Sequence, residues 1–147
     1  MNGSPTFPKL TERSAEEHGV IAFHLDQLGR ALGEFDAGAA SADALLDLAL
    51  RIDSFKDRLE EHFRDEEDGG LLQAVVEALP QTESDLRRLK TEHKRLCGAL
   101  DELRRVARSG EVAQAAAIKV ELERVVEAIR EHEREEDTLF RRAIRQA

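Results

Sequence analysis

Two histidines are each followed, four residues later, by a glutamate: His62 by Glu66 and His132 by Glu136. On an α-helix this spacing places both side chains on one face, a single turn apart, where they reach the same ion or adjacent ions. Imidazole and carboxylate groups are ligands that transition metals accept. The two pairs therefore predict a metal site.

Two more histidines, His18 and His93, lie on the apolar stripes of their own segments. Taken singly, each would be interpreted as a satisfied core histidine. Four imidazoles and two carboxylates buried together need compensating charge, because buried charged groups without partners are strongly destabilising. Bound cations would supply that charge. The predicted metal ligands are His18, His62, Glu66, His93, His132 and Glu136.

Two His/Glu pairs indicate two ions, each bound by two imidazoles and by one oxygen of each bridging glutamate. The remaining positions are open to a solvent-derived bridge and an external ligand. This ligand set favours iron, with manganese or zinc as substitutes, since structural zinc prefers closed tetrahedral sites rich in thiolate. Carboxylate-rich di-iron bundles use Glu-x-x-His, and no histidine here has a glutamate three residues before it.

The elements that position these residues are predicted to be four helices. The prolines are Pro5, Pro8 and Pro80, so long stretches have no proline break. Small residues at 36–41 and 109–110 indicate turns, and apolar residues recur at steps of three and four in every segment. These stripes predict a core that includes Leu25, Ile52, Leu100, Leu122 and Val125. Clusters of β-branched and aromatic residues that would favour strands are missing. The predicted fold is all-α, an up-down-up-down antiparallel four-helix bundle.

Segment lengths put the four histidines at one height. At about 1.5 Å per residue, His18 lies about 27 Å before the loop at Asp36, and His62 lies about 30 Å beyond Ser41. In the second half, His93 lies about 24 Å before Ser109, and His132 lies about 32 Å beyond Gly110. We therefore expect one layer of polar side chains across the bundle.

The two halves also repeat each other. Glu17-His18 is matched by Glu92-His93 at an offset of 75, and the segment 62–68 is matched by 132–137 at an offset of 70. We predict an N-terminal arm over residues 1–10 and a single domain over 11–147, built from hairpins 11–79 and 82–145. Residues 68–70 either end the second helix or kink it.

Composition narrows the function classes. The chain has 147 residues, 41% hydrophobic and 36% charged, with a formal net charge of −9. This acidity disfavours nucleic acid, and no apolar run is long enough to cross a membrane. One cysteine cannot form an internal disulfide, and the first eight residues contain no apolar run for a signal peptide. We expect a cytoplasmic protein.

The order of these motifs resembles that of the hemerythrin family, in particular bacterial domains of the HHE cation-binding type. One element per helix carries the resemblance: His18, then His62-x-x-x-Glu66, then Glu92-His93, then His132-x-x-x-Glu136. The resemblance covers Glu17 to about Arg142. It implies a non-haem, oxo- or hydroxo-bridged di-iron site, with the glutamates bridging and a position that binds O2.

One position differs from the residue that the oxygen-carrying members of that family have there. They have a further histidine one turn after the third-helix ligand, where this chain has Cys97. Cys97 is interpreted mainly as a small buried side chain, and His24 as a flanking histidine. Glu67, Glu133 and Asp137 adjoin the ligands and are interpreted mainly as solvated charge, with a place beside the ligands as the alternative.

The predicted function is binding of O2 or a related ligand, such as NO, peroxide or azide, for oxygen or iron sensing, storage or protection. A di-iron enzyme with weak catalase- or peroxidase-like turnover is the second possibility. A metal store or iron sensor without redox turnover is the third, and its protein partner is not defined by the sequence.

Overall fold

A computed structural model describes residues 6–146, and this part of the chain consists of helices and the turns between them. The α-helices are α1 (Phe7–Glu34), α2 (Ala42–Asp68), α3 (Leu71–Ala78), α4 (Glu83–Arg108) and α5 (Ala115–Gln146). Short 3₁₀ turns cover Ala37–Ala39, Pro80–Thr82 and Val112–Gln114. The all-helical prediction is confirmed.

The prediction of four helical segments is wrong in number, because α3 is a separate helix. Gly70 adopts a left-handed φ of 90°, which an α-helix cannot continue through. At Gly69 a β-carbon would collide with the carbonyl of Asp65. The pair Gly69-Gly70 therefore ends α2 and starts a new direction, rather than kinking one continuous helix.

The helix starts and ends follow local chemistry. Pro8 lies in the first turn of α1, where its missing N–H is not needed. This helix begins at Phe7, inside the predicted arm 1–10, and residues 1–5 of that arm lie outside the described residues. The Ser41 hydroxyl accepts a hydrogen bond of 3.1 Å from the Ala44 N–H and caps α2. Gly110, with a φ of 73°, allows the tight turn after α4.

The four long helices pack in a closed ring: α1 contacts α2 and α5, and α4 contacts the same two. Their apolar faces form the main core, which includes Leu25, Ile52, Leu100 and Leu122. On α5 the buried valine is Val126, whereas the predicted Val125 is only half-buried. The other predicted positions on this helix, among them Ile118, Leu122 and Ile129, are buried, so the difference is confined to one position.

A second, smaller apolar cluster surrounds α3 and packs against the ends of α4 and α5. It contains Leu71, Val75, Leu89 and Phe140. In α1, α4 and α5 the polar layer lies between residues of the two clusters, and in α2 it lies between the main core and the start of α3, so both of its sides are apolar. Within residues 6–146, none of the helices has the length and apolar character needed to span a bilayer.

Candidate metal centre

The six side chains predicted to bind metal come together in the interior. They lie on four helices: His18 on α1, His62 and Glu66 on α2, His93 on α4, and His132 and Glu136 on α5. Each continues the buried face of its helix, at the three- or four-residue step that apolar neighbours follow. All six are buried. Their role as ligands stays a prediction, and their proximity is observed.

Glu66 faces imidazoles from both hairpins. Its Oε2 lies 3.2 Å from Nε2 of His18. Its Oε1 lies 3.5 Å from Nε2 of His62 and 3.6 Å from Nε2 of His93. A carboxylate with this reach is placed to bridge two ions.

Glu136 is arranged in the same way from the opposite helix. Its Oε1 lies 3.2 Å from Nε2 of His132 and 3.7 Å from Nε2 of His18. Its Oε2 lies 3.6 Å from Nε2 of His93. The two glutamates therefore have equivalent surroundings, as the internal repeat predicts.

Donor atoms of these residues form two compact groups. The first consists of His18, His62, Glu66 and Glu136, and the second of His93, His132 and Glu136. Within each group the donor atoms lie within 4.8 Å of one another. Each group has the residue types and the spacing to hold a metal ion, and Glu136 belongs to both.

Every imidazole of the centre also contacts a carboxylate through its outer nitrogen, Nδ1. We call these four groups the outer carboxylates. The pairs and their N···O distances are His18 with Asp137 (2.6 Å), His62 with Glu17 (3.2 Å), His93 with Glu67 (2.9 Å) and His132 with Glu92 (3.0 Å). Such a carboxylate fixes the ring and, in the neutral ring, keeps the proton on Nδ1. The Nε2 lone pair then faces the centre.

For Glu67 and Asp137 the main interpretation, solvated charge, is therefore wrong, and their contacts with imidazoles of the centre support the alternative, a place beside the ligands. The Asp137 side chain is still 40% exposed. Sequence reasoning also missed Glu17 and Glu92. A signal was present in the repeat, because an acidic residue directly precedes both His18 and His93 and directly follows both glutamates. An acidic residue at the same place in two halves indicates a shared role better than a solvated surface does.

Several buried atoms of the centre have no hydrogen-bond partner. They are Nε2 of His62, His93 and His132, Oε1 of Glu66, and both carboxylate oxygens of Glu136. An unpaired buried polar atom costs about 1–3 kcal/mol. These nitrogen and oxygen atoms are grouped together and can donate electron pairs, so cations would satisfy them together. The residues present thus fit bound metal ions.

The pKa values of the buried side chains are shifted because these groups are buried and their charges lie close together. Burial and the charge of Glu136 raise the pKa of Glu66 well above its usual range. Burial acts in the same direction on Glu136, yet the imidazole of His132 holds the pKa of that carboxyl low. For His18 burial opposes protonation, but the Asp137 carboxylate raises the pKa of the ring far above its ordinary value. The raised pKa values of Glu66 and His18 favour protonation of these side chains, so protons compete with metal ions for the same atoms.

Glu133 lies at the centre as well, so its interpretation as solvated charge is also wrong. Its side chain is only 12% exposed, and its Oε2 lies 3.0 Å from Nε2 of His18. Its Oε1 lies 3.5 Å from Nε2 of His62. Burial works against its ionisation, but these two imidazoles hold the pKa of Glu133 below its usual range. Its place directly after His132 turns it toward the other hairpin.

Cys97 and His24 belong to neither donor group. Cys97 is half-buried and packs against the main core, and burial raises the pKa of its thiol to about 11. This placement agrees with its interpretation as a small apolar side chain. His24 is half-buried on the flank of α1, next to the exposed Phe23.

Comparison with known proteins identifies the family. The model described as the hemerythrin HHE cation binding domain matches residues 9–143, from the first turn of α1 to the last turn of α5. The match includes all six predicted ligands, the outer carboxylates and Glu133. No curated protein and no solved structure matches the chain.

Proposed function

The chain belongs to the hemerythrin HHE cation binding domain family, and we propose that it binds two iron ions and, at that pair, O2 or a related small ligand such as NO or peroxide. Oxygen or iron sensing, storage or protection is the role we propose for it. The proposal includes an up-down-up-down order of the four long helices. It also includes a cytoplasmic location, which the single cysteine favours.

The unpaired buried atoms at the centre carry the proposal. Imidazole Nε2 atoms from three helices and oxygens of both glutamates lack partners, although all are buried. A purely structural polar layer would pair these atoms with one another or bury apolar groups in their place. Two ions placed between them would use every one of these atoms.

The protein's own residues would orient and shield the ions. Outer carboxylates fix the four imidazoles, and Glu66 and Glu136 reach both hairpins. Phe63 stacks on the ring of His93 with centroids 3.8 Å apart, and Phe140 stacks on that of His18 at 6.0 Å. Iron, when bound, supplies open coordination positions and a redox couple for small ligands.

Metal content tests the first part of the proposal. We expect two iron ions per chain in the purified or reconstituted protein. His62→Ala should lower this number, whereas His24→Ala, which removes a histidine outside both donor groups, should leave it unchanged. Full iron content and an unchanged melting temperature in His62→Ala would contradict the site assignment.

Exposure of the reduced protein to O2 and then to peroxide tests the second part. An absorption spectrum that appears with O2 and reverses on its removal is the result we expect. Sustained loss of peroxide would instead support a catalase- or peroxidase-like enzyme. An iron-loaded protein that responds to neither would support a metal store or an iron sensor.

A further inference from the structure

The centre is built from two halves related by the sequence repeat, and they differ at the position directly after the second histidine of each hairpin. Position 133 follows His132 directly, and the repeat pairs it with position 63, which follows His62. Position 133 is a glutamate, and position 63 is a phenylalanine. Each side chain contacts the imidazoles of the opposite half: Glu133 those of His18 and His62, and Phe63 those of His93 and His132.

Glu133 is not needed to orient the rings, because the outer carboxylates already bind Nδ1 of His18 and His62. It contacts the opposite nitrogen, Nε2, which faces the predicted ions. A neutral ring has a lone pair at Nε2 and the carboxylate has lone pairs on both oxygens, so a cation between them would bind to both groups. Neither oxygen of Glu133 has a hydrogen-bond partner, and both are buried.

The distances suit ligands of one ion. Metal–nitrogen and metal–oxygen bonds of roughly 2.0–2.2 Å place neighbouring ligand atoms of one ion about 3 Å apart. Oε2 of Glu133 lies 3.0 Å from Nε2 of His18, and its Oε1 lies 3.5 Å from Nε2 of His62. The carboxylate therefore has the position of a further ligand beside these two imidazoles.

The other half has no third protein donor at the equivalent position. Phe63 lies parallel to the His93 ring, with an interplanar angle of 4°, and has no atom that can bind a metal. A surface cavity of about 270 Å³ reaches Phe63, His93 and Cys97, and charged side chains such as Glu67 and Lys94 line the rest of it. An external ligand can therefore approach this half at His93.

We propose that Glu133 is a seventh protein ligand, bound to the ion held by His18 and His62, and that external ligands bind at the ion held by His93 and His132. The two ions are then chemically inequivalent, the first closed by protein and the second open. This inference rests on the proposed di-iron function and assigns its ligand-binding position.

The test compares iron-loaded wild type with Glu133→Ala, Glu133→Gln and the matched control Glu131→Gln. Glu131 lies two residues earlier on α5, and its side chain is 62% exposed and paired with Arg134. Readouts are iron per chain, the number of iron environments in Mössbauer spectra, and azide titration followed by absorption. Circular dichroism reports folding, and Glu133→Gln preserves side-chain volume if Glu133→Ala does not fold.

Wild type and Glu131→Gln should show two distinct iron environments and bind one azide. Both Glu133 variants should bind one of the two ions more weakly, by at least about tenfold, since even outer partners of metal ligands contribute 10–100-fold. With two ions restored, they should show altered spectra for one ion and bind a second azide. Unchanged affinity, spectra and azide stoichiometry would overturn the role of Glu133. Fewer than two ions in wild type would instead refute the di-iron function.

Discussion

The half of the centre with His18 and His62 and the half with His93 and His132 share almost everything that orients a ligand. The helical spacing, the glutamate one turn after the second histidine and the outer carboxylates all recur. They differ at the residue that faces the imidazoles of the opposite half, which is Glu133 for one and Phe63 for the other. The repeated residues thus fix the positions of the imidazoles and glutamates, while the residue at position 63 or 133 places a phenyl ring beside one pair of imidazoles and a carboxylate beside the other.

The halves also differ beyond the glutamates. After Glu66, helix α2 ends at Asp68, and the chain turns into α3. After Glu136, helix α5 continues to Gln146 and places Phe140 on the ring of His18. Each half therefore has an aromatic ring stacked on one imidazole, but the two rings come from positions that the repeat does not relate.

The largest effect should come from the residues that both halves share. Glu136→Ala and Glu66→Ala each remove a carboxylate that contacts imidazoles of both hairpins, so each variant should lose at least one of the two ions. Metal analysis after desalting measures this. Glu131→Ala, which removes an exposed carboxylate paired with Arg134, is the control. Two retained ions in either test variant would show that the halves bind metal independently.

Making the halves alike should have the next largest effect. Phe63→Glu introduces a carboxylate beside His93 and His132, where it should occupy the open position of the second ion. We expect azide affinity to fall by more than about tenfold, by analogy with the 10–100-fold effects of altered metal surroundings. Phe63→Leu, which adds no donor atom, should retain azide binding. Equal azide affinity in the glutamate variant and in wild type would place the external ligand elsewhere.

A smaller effect is expected from the outer carboxylates, and it should be local to one half. Asp137→Asn removes the charge that orients His18, and Glu92→Gln does so for His132. Each should weaken binding of the neighbouring ion by roughly 10–100-fold, because these partners fix ring orientation and raise ligand basicity. Competition with a chelator measures the loss. Equal weakening of both ions by one variant would contradict the division into halves.

The smallest effect on the centre should come from the apolar core that both halves share. Leu100 is fully buried in the main core, away from the polar layer. Leu100→Ala should lower the free energy of unfolding by about 2–5 kcal/mol through lost burial and a cavity. Chemical denaturation measures this loss. Iron content and azide affinity should stay at wild-type values, and a change in either would link core packing to the site.

Much of the fold followed from periodicity. Steps of three and four placed Leu25, Ile52, Leu100 and Leu122 in the core correctly, because helix geometry depends only on local spacing. The pair Gly69-Gly70 permits both a kink and a turn, so the sequence does not decide between them. Only the left-handed φ of Gly70 decides between them. On α5 a step of three from Leu122 predicts Val125, whereas packing buries Val126, one step of four from Leu122.

The six candidate ligands were found because unusual residues on an apolar stripe stand out. Glu133 and the outer carboxylates did not stand out, since they lie among many charged residues on helix flanks. Their role depends on a neighbouring helix, and sequence spacing within one helix gives no information about that contact. The family match extends over these positions, but the contacts of Glu133 and the outer carboxylates come from the structure.

The outer carboxylates also limit how the centre can assemble. In the first hairpin, Glu17 orients His62, but His18 is oriented by Asp137 of the second hairpin. In the second hairpin, Glu92 orients His132, but His93 is oriented by Glu67 of the first hairpin. Each hairpin by itself supplies the outer carboxylate of only one of its two histidines. Neither hairpin can therefore orient both of its imidazoles until the two hairpins have docked. Two copies of a single hairpin related by a two-fold axis would make the same reciprocal carboxylate–imidazole contacts. The chain is therefore arranged like a symmetric dimer whose two subunits are joined in one polypeptide.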